Sequence, residues 1–347
     1  LALLACLAGL AHADPIRIAT YNTELGRKGP GLLLRDIRRG DDQVNAVLQV
    51  LLQADADILA LQSIDWDYRG QTLGALVDAL AAQGLSYPYS LSLRPNTGMP
   101  IKGTDPPQDH SFGRFAGAEG MALLSKFPID RAQVRDYANL AWRALPWTHP
   151  PAGTHPDQRL STLGHWVVPI QTPDGPLSLM VFHATPPVFD GPEDANGLRN
   201  GDEILFWQRL LDGDYGPPPE RFVIIGDFNN DPDGGEGLKA PLNALFTDPR
   251  LRPAQATGAQ GTATVDWSNI GLPPMRVSYI LPDNGITVRA SGILWPPPDD
   301  PTFAIIDSAS RHRLVWADIE MPRNTQENVT QPAKQQLRFL DPLRASR

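Results

Sequence analysis

Short apolar runs alternate along this chain with amphipathic stretches and with segments rich in Pro and Gly, and the alternation predicts a mixed α/β domain. Residues 16–21 form the first such run and read as a strand. Residues 43–53 place Val44, Val47, Leu48, Leu51 and Leu52 at helical spacing, which predicts a helix with one buried face. Residues 58–61 read as a second, buried strand and 73–82 as another helix. Further strands are expected at 121–124, 165–170, 177–182, 222–225, 277–281 and 314–319, so a large sheet system is required. No repeat of solenoid length interrupts the pattern.

Two long stretches, 92–118 and 137–159, are rich in Pro, Gly, Asp, Asn and His and have little hydrophobic period. They predict surface loops, and loops of that length more often shape a site than lie idle. The apolar pattern fades after residue 320, and 321–347 reads as a polar, loosely attached tail without chemistry.

Residues 1–13 are an apolar run that ends in Ala11-His12-Ala13, the small-x-small form of a signal-peptidase site, so cleavage is expected before Asp14. With no initiator Met and no basic start, the run reads as a partial signal peptide, and residence is expected to be periplasmic or extracellular. It is too short to span a bilayer, so no transmembrane anchor is expected. Cys6 is the only cysteine, which leaves the rest of the chain without an internal disulfide or a thiolate metal site. Leu3-Leu4-Ala5 before Cys6 also suits a lipoprotein, but the run continues past Cys6 to a good cleavage site.

What remains after cleavage is about 330 residues, enough for one large domain or two ordinary ones. The net charge of -9 belongs wholly to this part, because residues 1–13 carry no Asp, Glu, Lys or Arg. An acidic balance argues against a surface built for non-specific duplex binding, although it leaves room for a local basic groove.

Five short strings put polar residues at the ends of apolar runs, where a strand delivers side chains to the rim of a sheet. They are Thr20-Tyr21-Asn22-Thr23-Glu24, Leu59-Ala60-Leu61-Gln62-Ser63, Val181-Phe182-His183, Gly226-Asp227-Phe228-Asn229 and Ser310-Arg311-His312-Arg313. In this order they resemble the endonuclease/exonuclease/phosphatase superfamily, also called DNase I-like, over residues 16–320. The Gly-Asp-Phe-Asn string is the most specific element. The resemblance implies one domain over residues 14–320, of α/β (α+β) class. It would be a four-layer sandwich in which two packed β-sheets lie between helices, with the site along one edge.

The resemblance also implies roles. Asn22 and Glu24 stand where the family contacts metal or phosphate, and strand period would put both on one face, as it would Asp227 and Asn229. Asp227 positions water or aids the leaving group, while Asn229 donates to a phosphate oxygen. His183 polarises phosphate or donates a proton, Glu119 pairs with it, and His312 activates water. Each residue also has a plainer reading, as a turn former, a packed histidine or a surface carboxylate. An EF-hand reading of 229–240 fails, because Ala240 occupies the position of the bidentate Glu.

Three positions break the pattern, each where the family places a carboxylate: Ser63, Ser278 and Arg311. Ser63 is a weak ligand for a hard divalent ion, so Asp65 or Asp67 is expected to substitute beside Glu24. The metal set expected is therefore Asn22, Glu24 and Asp65, holding Mg²⁺ first, with Mn²⁺ or Ca²⁺ as alternatives. Ser278 lacks the charge to stabilise an imidazolium, and Arg311 is expected to clamp a substrate phosphate. Arg199 is a weaker candidate phosphate contact, and His165 lies either near the site or in the core.

The leading expectation is a metal-dependent phosphoester hydrolase, acting outside the cytoplasm on nucleic acid, phospholipid head groups or small phosphate esters. No protein partner is indicated. The alternative is a catalytically degenerate binding protein of the same fold, for which the three replacements speak.

Overall fold

The computed structural model describes residues 14–322; the expected signal peptide and all but the first two residues of the expected tail lie outside them. The chain runs through β1 (Ile16–Asn22), α1 (Leu32–Arg39), α2 (Asp42–Ala54), β2 (Ile58–Ile64), α3 (Gln71–Ala81), β3 (Tyr89–Leu91), β4 (Gly120–Ser125) and β5 (Arg135–Asp136). It continues with β6 (His165–Thr172), β7 (Gly175–His183), α4 (Ala195–Leu211), β8 (Phe222–Asp227), α5 (Lys239–Thr247), β9 (Ser278–Pro282), β10 (Thr287–Ile293), α6 (Phe303–Ala309) and β11 (Val315–Glu320).

The strands form two sheets, one of six in the order β10-β11-β1-β2-β4-β3 and one of five in the order β5-β6-β7-β8-β9. Each contains one parallel pair, β1 with β2 and β7 with β8, and these pairs bring four strand ends to a common edge. Both faces of the central strands are buried, which is why they read as continuous apolar runs. Ile58 and Ala60 of β2 face the space between the sheets together with Val223 and Ile225 of β8. Leu59 and Leu61 face the helices α1, α2, α3 and α6 on one outside, and Ile224 faces α4 and α5 on the other. The result is the expected four-layer sandwich.

Local signals start and stop the helices where the pattern predicts. Asp41 caps α2 by accepting the Val44 N–H at 3.3 Å, and Asp55 ends it in a left-handed conformation. The strands without a clear pattern are short or lie at sheet edges, as β3, β5 and β10 do. The 17-residue α4 escapes the helical period because much of its buried face is polar: Arg199, Asn200, Asp202 and Glu203 all point inward. The two long loops are partly structured. Stretch 92–118 buries Asn96, Thr97, His110 and Ser111, and stretch 137–159 holds a short 3-10 turn with Trp142 buried. No helix among the described residues is long and apolar enough to cross a membrane.

Candidate active site

The four strand ends open into a cleft of about 520 Å³ lined by Asn22, Glu24, Ser63, Glu119, His183, Asn229, Arg311 and His312. Its polar floor is crowded because the two sheets meet there. Asp227 ends β8 opposite His183, the last residue of β7, in the parallel register. That close pairing requires glycine before it: a Cβ on Gly226 would lie 2.0 Å from the Phe182 carbonyl oxygen.

Asp227 is the hub of the floor and is fully buried. Its Oδ2 accepts the Asn22 side-chain amide at 2.8 Å and lies 3.5 Å from His312 Nδ1 and 3.8 Å from His183 Nε2. Its Oδ1 accepts the Asn229 N–H at 3.0 Å. Asn229 Nδ2 donates to the Ala184 carbonyl at 2.8 Å and lies 3.1 Å from His183 Nε2. His183 Nδ1 and His312 Nδ1 are both buried without a hydrogen-bond partner, so the 3.5 Å approach of Asp227 to His312 is one of charge and not a hydrogen bond. Burial pushes the His312 pKa below its ordinary value, outweighing the opposing pull of Asp227 and Glu24. Trp267 packs edge-on against the His312 ring at 5.8 Å.

Glu24 belongs to a different arrangement. Its Oε1 accepts Arg311 Nε at 2.8 Å and also Arg311 Nη2, while its Oε2 accepts the Arg311 N–H at 2.8 Å and the Ser310 hydroxyl at 3.2 Å. Burial pushes the Glu24 carboxyl up, but these bonds and the neighbouring His312 hold its pKa below the ordinary value.

Strand period does not explain these positions. β1 ends at Asn22 and β8 at Asp227, and both Glu24 (φ 48°) and Asn229 (φ 49°) lie beyond, in the left-handed region. Ser63, Glu119 and Phe189 share that conformation, so five cleft residues hold a backbone that costs about 1 kcal/mol or more per non-glycine residue. Such strain clusters where surrounding structure fixes side chains for a purpose.

Several expectations are corrected by this geometry. Asp65 does not join the site: the left-handed Ser63 shifts the β2–β4 register, and the buried Asp65 carboxylate instead accepts the N–H groups of Arg27 at 2.9 Å and Glu119 at 3.0 Å. Its burial, outweighing those bonds, raises its pKa to about 6. Glu119 lines the cleft but makes no hydrogen bond to His183; its side chain lies against Gly26. Arg199 is buried inside the fold, donating to the carbonyls of Leu160, His110, Arg159 and Ser161, and does not line the cleft. His165 is a core residue, 2.7 Å from Ser161 Oγ, with its pKa lowered to about 3 by burial. Ser278 pairs with Asp227 in register, yet its hydroxyl has no partner, and Asp227 itself is the carboxylate nearest His312.

The expected metal set is therefore not assembled. Glu24 is saturated by Arg311 and Ser310, Asp65 accepts two backbone N–H groups and does not line the cleft, and Ser63 is neutral. No group of three or more His, Cys, Asp or Glu among the described residues is placed to hold a metal ion.

Sequence reasoning missed the residues that support this floor. Asn200 Nδ2 donates to the carbonyls of Thr185 and Phe228, tying together the loops after β7 and β8, and Asn230 donates to Asn200. Buried Glu203 accepts the N–H groups of Thr162 and Thr185, and burial raises its carboxyl to about 7. Fully buried Arg313 stacks over Trp295 and donates to the carbonyls of Ser310 and His312, holding that segment in place. The only sequence signal was a cluster of polar residues inside a helix-length stretch, Arg199-Asn200-Gly201-Asp202-Glu203.

Comparison with known proteins agrees with the layers described above. A model of the Endonuclease/Exonuclease/phosphatase family matches residues 19–312. Among solved structures, an endonuclease/exonuclease/phosphatase from Beutenbergia cavernae shares 17% identity, covering 89% of this chain and 72% of its own, with a TM-score of 0.57. Sphingomyelinase C from Streptomyces griseocarneus shares 17% identity, covering 88% and 99%, with a TM-score of 0.54. The human Nocturnin catalytic domain with bound sulfate anion shares 16% identity, covering 89% and 97%, with a TM-score of 0.52. At such identities the likeness is one of fold. No curated protein sequence matches the chain.

Proposed function

Since the chain belongs to the endonuclease/exonuclease/phosphatase family, whose members are generally phosphoesterases or nucleases, we propose that it hydrolyses phosphate esters at this cleft. The observation that carries the reading is the position of Asp227 Oδ2, held by Asn22 and facing both histidines. An anion beside His312 Nδ1 keeps the proton on that nitrogen and leaves Nε2 as the base. His312 then takes a proton from a water attacking phosphorus, and Asp227 stabilises the imidazolium that forms. The lowered His312 pKa keeps the ring neutral, and so competent as a base, near pH 7. His183, which lines the cleft beside Asn229, holds a phosphate oxygen, and the proton taken up by His312 passes to the departing oxygen or to solvent.

The family is typically dependent on a divalent metal, but the donors present here do not fit one, and no step above passes through it. The cleft's wall is apolar at Val188, Phe189, Ile270 and Leu272, which favours substrates with an apolar group on the ester oxygen over a nucleic-acid duplex. Export is part of the proposal and is supported by the apolar run ending in Ala11-His12-Ala13.

The test is hydrolysis of p-nitrophenyl phosphate and bis-p-nitrophenyl phosphate by the wild type and by His312→Ala. Loss of general-base catalysis lowers kcat about 10²–10⁴-fold. Absence of turnover by the wild type, with or without added Mg²⁺, Mn²⁺ or Ca²⁺, would instead favour a binding protein of the same fold.

A further inference from the structure

We infer that the Arg311 guanidinium takes the place of the divalent cation in this cleft, presenting a fixed positive charge to the substrate phosphate. The inference deepens the proposed function, on whose phosphate-binding part it rests. Its first ground is saturation. An ionised carboxylate offers about four acceptor sites, and Glu24 receives four hydrogen bonds, three from Arg311 and one from Ser310. Asn22 is held by its neighbours, its Oδ1 accepting the Glu24 N–H at 3.2 Å and its Nδ2 donating to Asp227. A hard cation demands several anionic oxygens together; each oxygen of Asp227 already accepts an N–H donor inside the fold, and the other carboxylates that line the cleft, Glu119, Asp231 and Glu236, form no group of three among the described residues that could hold an ion.

The second ground is what Arg311 has left to give. Nε and Nη2 bind Glu24, whereas Nη1 makes no hydrogen bond within the described residues. The side chain is 45% exposed and lines the cleft beside His312. Its backbone is pinned on the other side, because the Asp266 N–H donates to the Arg311 carbonyl at 2.9 Å. Glu24 therefore acts as a rest for the guanidinium, fixing its plane so that the remaining N–H edge meets a phosphate oxygen without reorganising. A metal ion placed here would have to displace this cation from its carboxylate first.

Titration of the whole protein with inorganic phosphate, read by calorimetry and by intrinsic tryptophan fluorescence, tests the assignment without requiring turnover. Phosphate is expected to bind equally well, within about twofold, before and after EDTA treatment, and Mg²⁺ or Mn²⁺ alone is expected to give no saturable heat. Arg311→Ala is expected to weaken phosphate at least tenfold, the loss of one charge-assisted hydrogen bond and its field. Arg311→Lys, which keeps the charge but loses the fork, is expected to fall between the two and covers the case in which the alanine variant does not fold. Arg311→Asp frees Glu24 and adds a second acid, and is expected to gain Mn²⁺ binding. Phosphate binding that vanishes in EDTA and returns with Mg²⁺ or Mn²⁺, or that survives in both Arg311→Ala and Arg311→Lys, overturns the inference. A wild type that binds phosphate without metal yet never hydrolyses an ester keeps the inference and removes only the hydrolytic reading.

Discussion

The two sheets bring different kinds of chemistry to the same cleft. On the five-stranded side, His183, Asp227 and Asn229 sit on a lattice of amides in which Asn200 and Asn230 bind backbone carbonyls. On the six-stranded side, Glu24 and Arg311 form a partly exposed ion pair, with side-chain exposures of 22% and 45%. The first arrangement fixes direction, since each amide has one best geometry, and it suits proton transfer. The second supplies charge near solvent and suits capture of an anion. Asp227 joins them, because its Oδ2 holds Asn22 of the six-stranded sheet and faces His312.

Breaking that junction is expected to have the largest effect. In Asp227→Asn the volume stays the same, but the anion that in the proposed mechanism stabilises the charged form of His312 is gone. A fall in kcat of about 10³-fold or more is expected, with phosphate binding much less affected. The pH profile sharpens the claim. In the proposed mechanism the rate depends on neutral His312, so kcat/KM is expected to rise as pH climbs through its pKa. Burial has already lowered that pKa, and Asp227 is what raises it again. Removing the charge therefore moves the acidic limb to lower pH; an unmoved limb would show that another group is the base.

How much of this was legible follows from where each side chain's partners lie in the chain. Asn22, His183, Asp227, Asn229 and His312 end or flank strong apolar runs, so a linear pattern could place them on one rim. The fates of Asp65 and Arg199 could not be read that way. Asp65 turns inward because a single left-handed residue, Ser63, breaks the alternation two positions earlier, and its partners Arg27 and Glu119 come from distant loops. Arg199 looks like an exposed phosphate ligand until α4 is known to bury a polar face against the 92–118 and 137–159 loops. Periodicity reports apolar burial, and it is silent on polar side chains buried against backbone.

Asp65 offers a middle-sized test, since a metal ligand and a backbone clamp respond differently to the same change. Its folded pKa of about 6 lies above the value near 3.9 expected in the unfolded chain, so the folded state holds its proton more tightly. Between about pH 4 and 6 the folded protein binds more protons, and stability contributed by this group falls as pH rises through that window. The change amounts to about 2–3 kcal/mol. Asp65→Asn is expected to flatten this part of the stability curve, measured by urea unfolding, and to leave kcat within about twofold. A collapse of kcat with the fold intact would return Asp65 to the site.

The smallest effect is expected at the apolar rim, where function and local stability pull in opposite directions. Phe189 lines the cleft, is 89% exposed and holds a φ of 71°, a conformation that a bulky side chain adopts only under constraint. In the proposed function, contact with an apolar group of the substrate is the use of that conformation. Phe189→Ala and Phe189→Gly remove the same ring, so both are expected to raise KM for aryl phosphates about two- to fivefold, with little change for inorganic phosphate. They part on stability. Alanine keeps the left-handed penalty, whereas glycine relieves it and loses some of that gain to a freer unfolded chain, for a net stabilisation of up to about 1 kcal/mol. Equal stabilities for the two variants would mean that the loop carries no strain. An unchanged KM for aryl phosphates in both would mean that the apolar rim takes no part in recognising the ester.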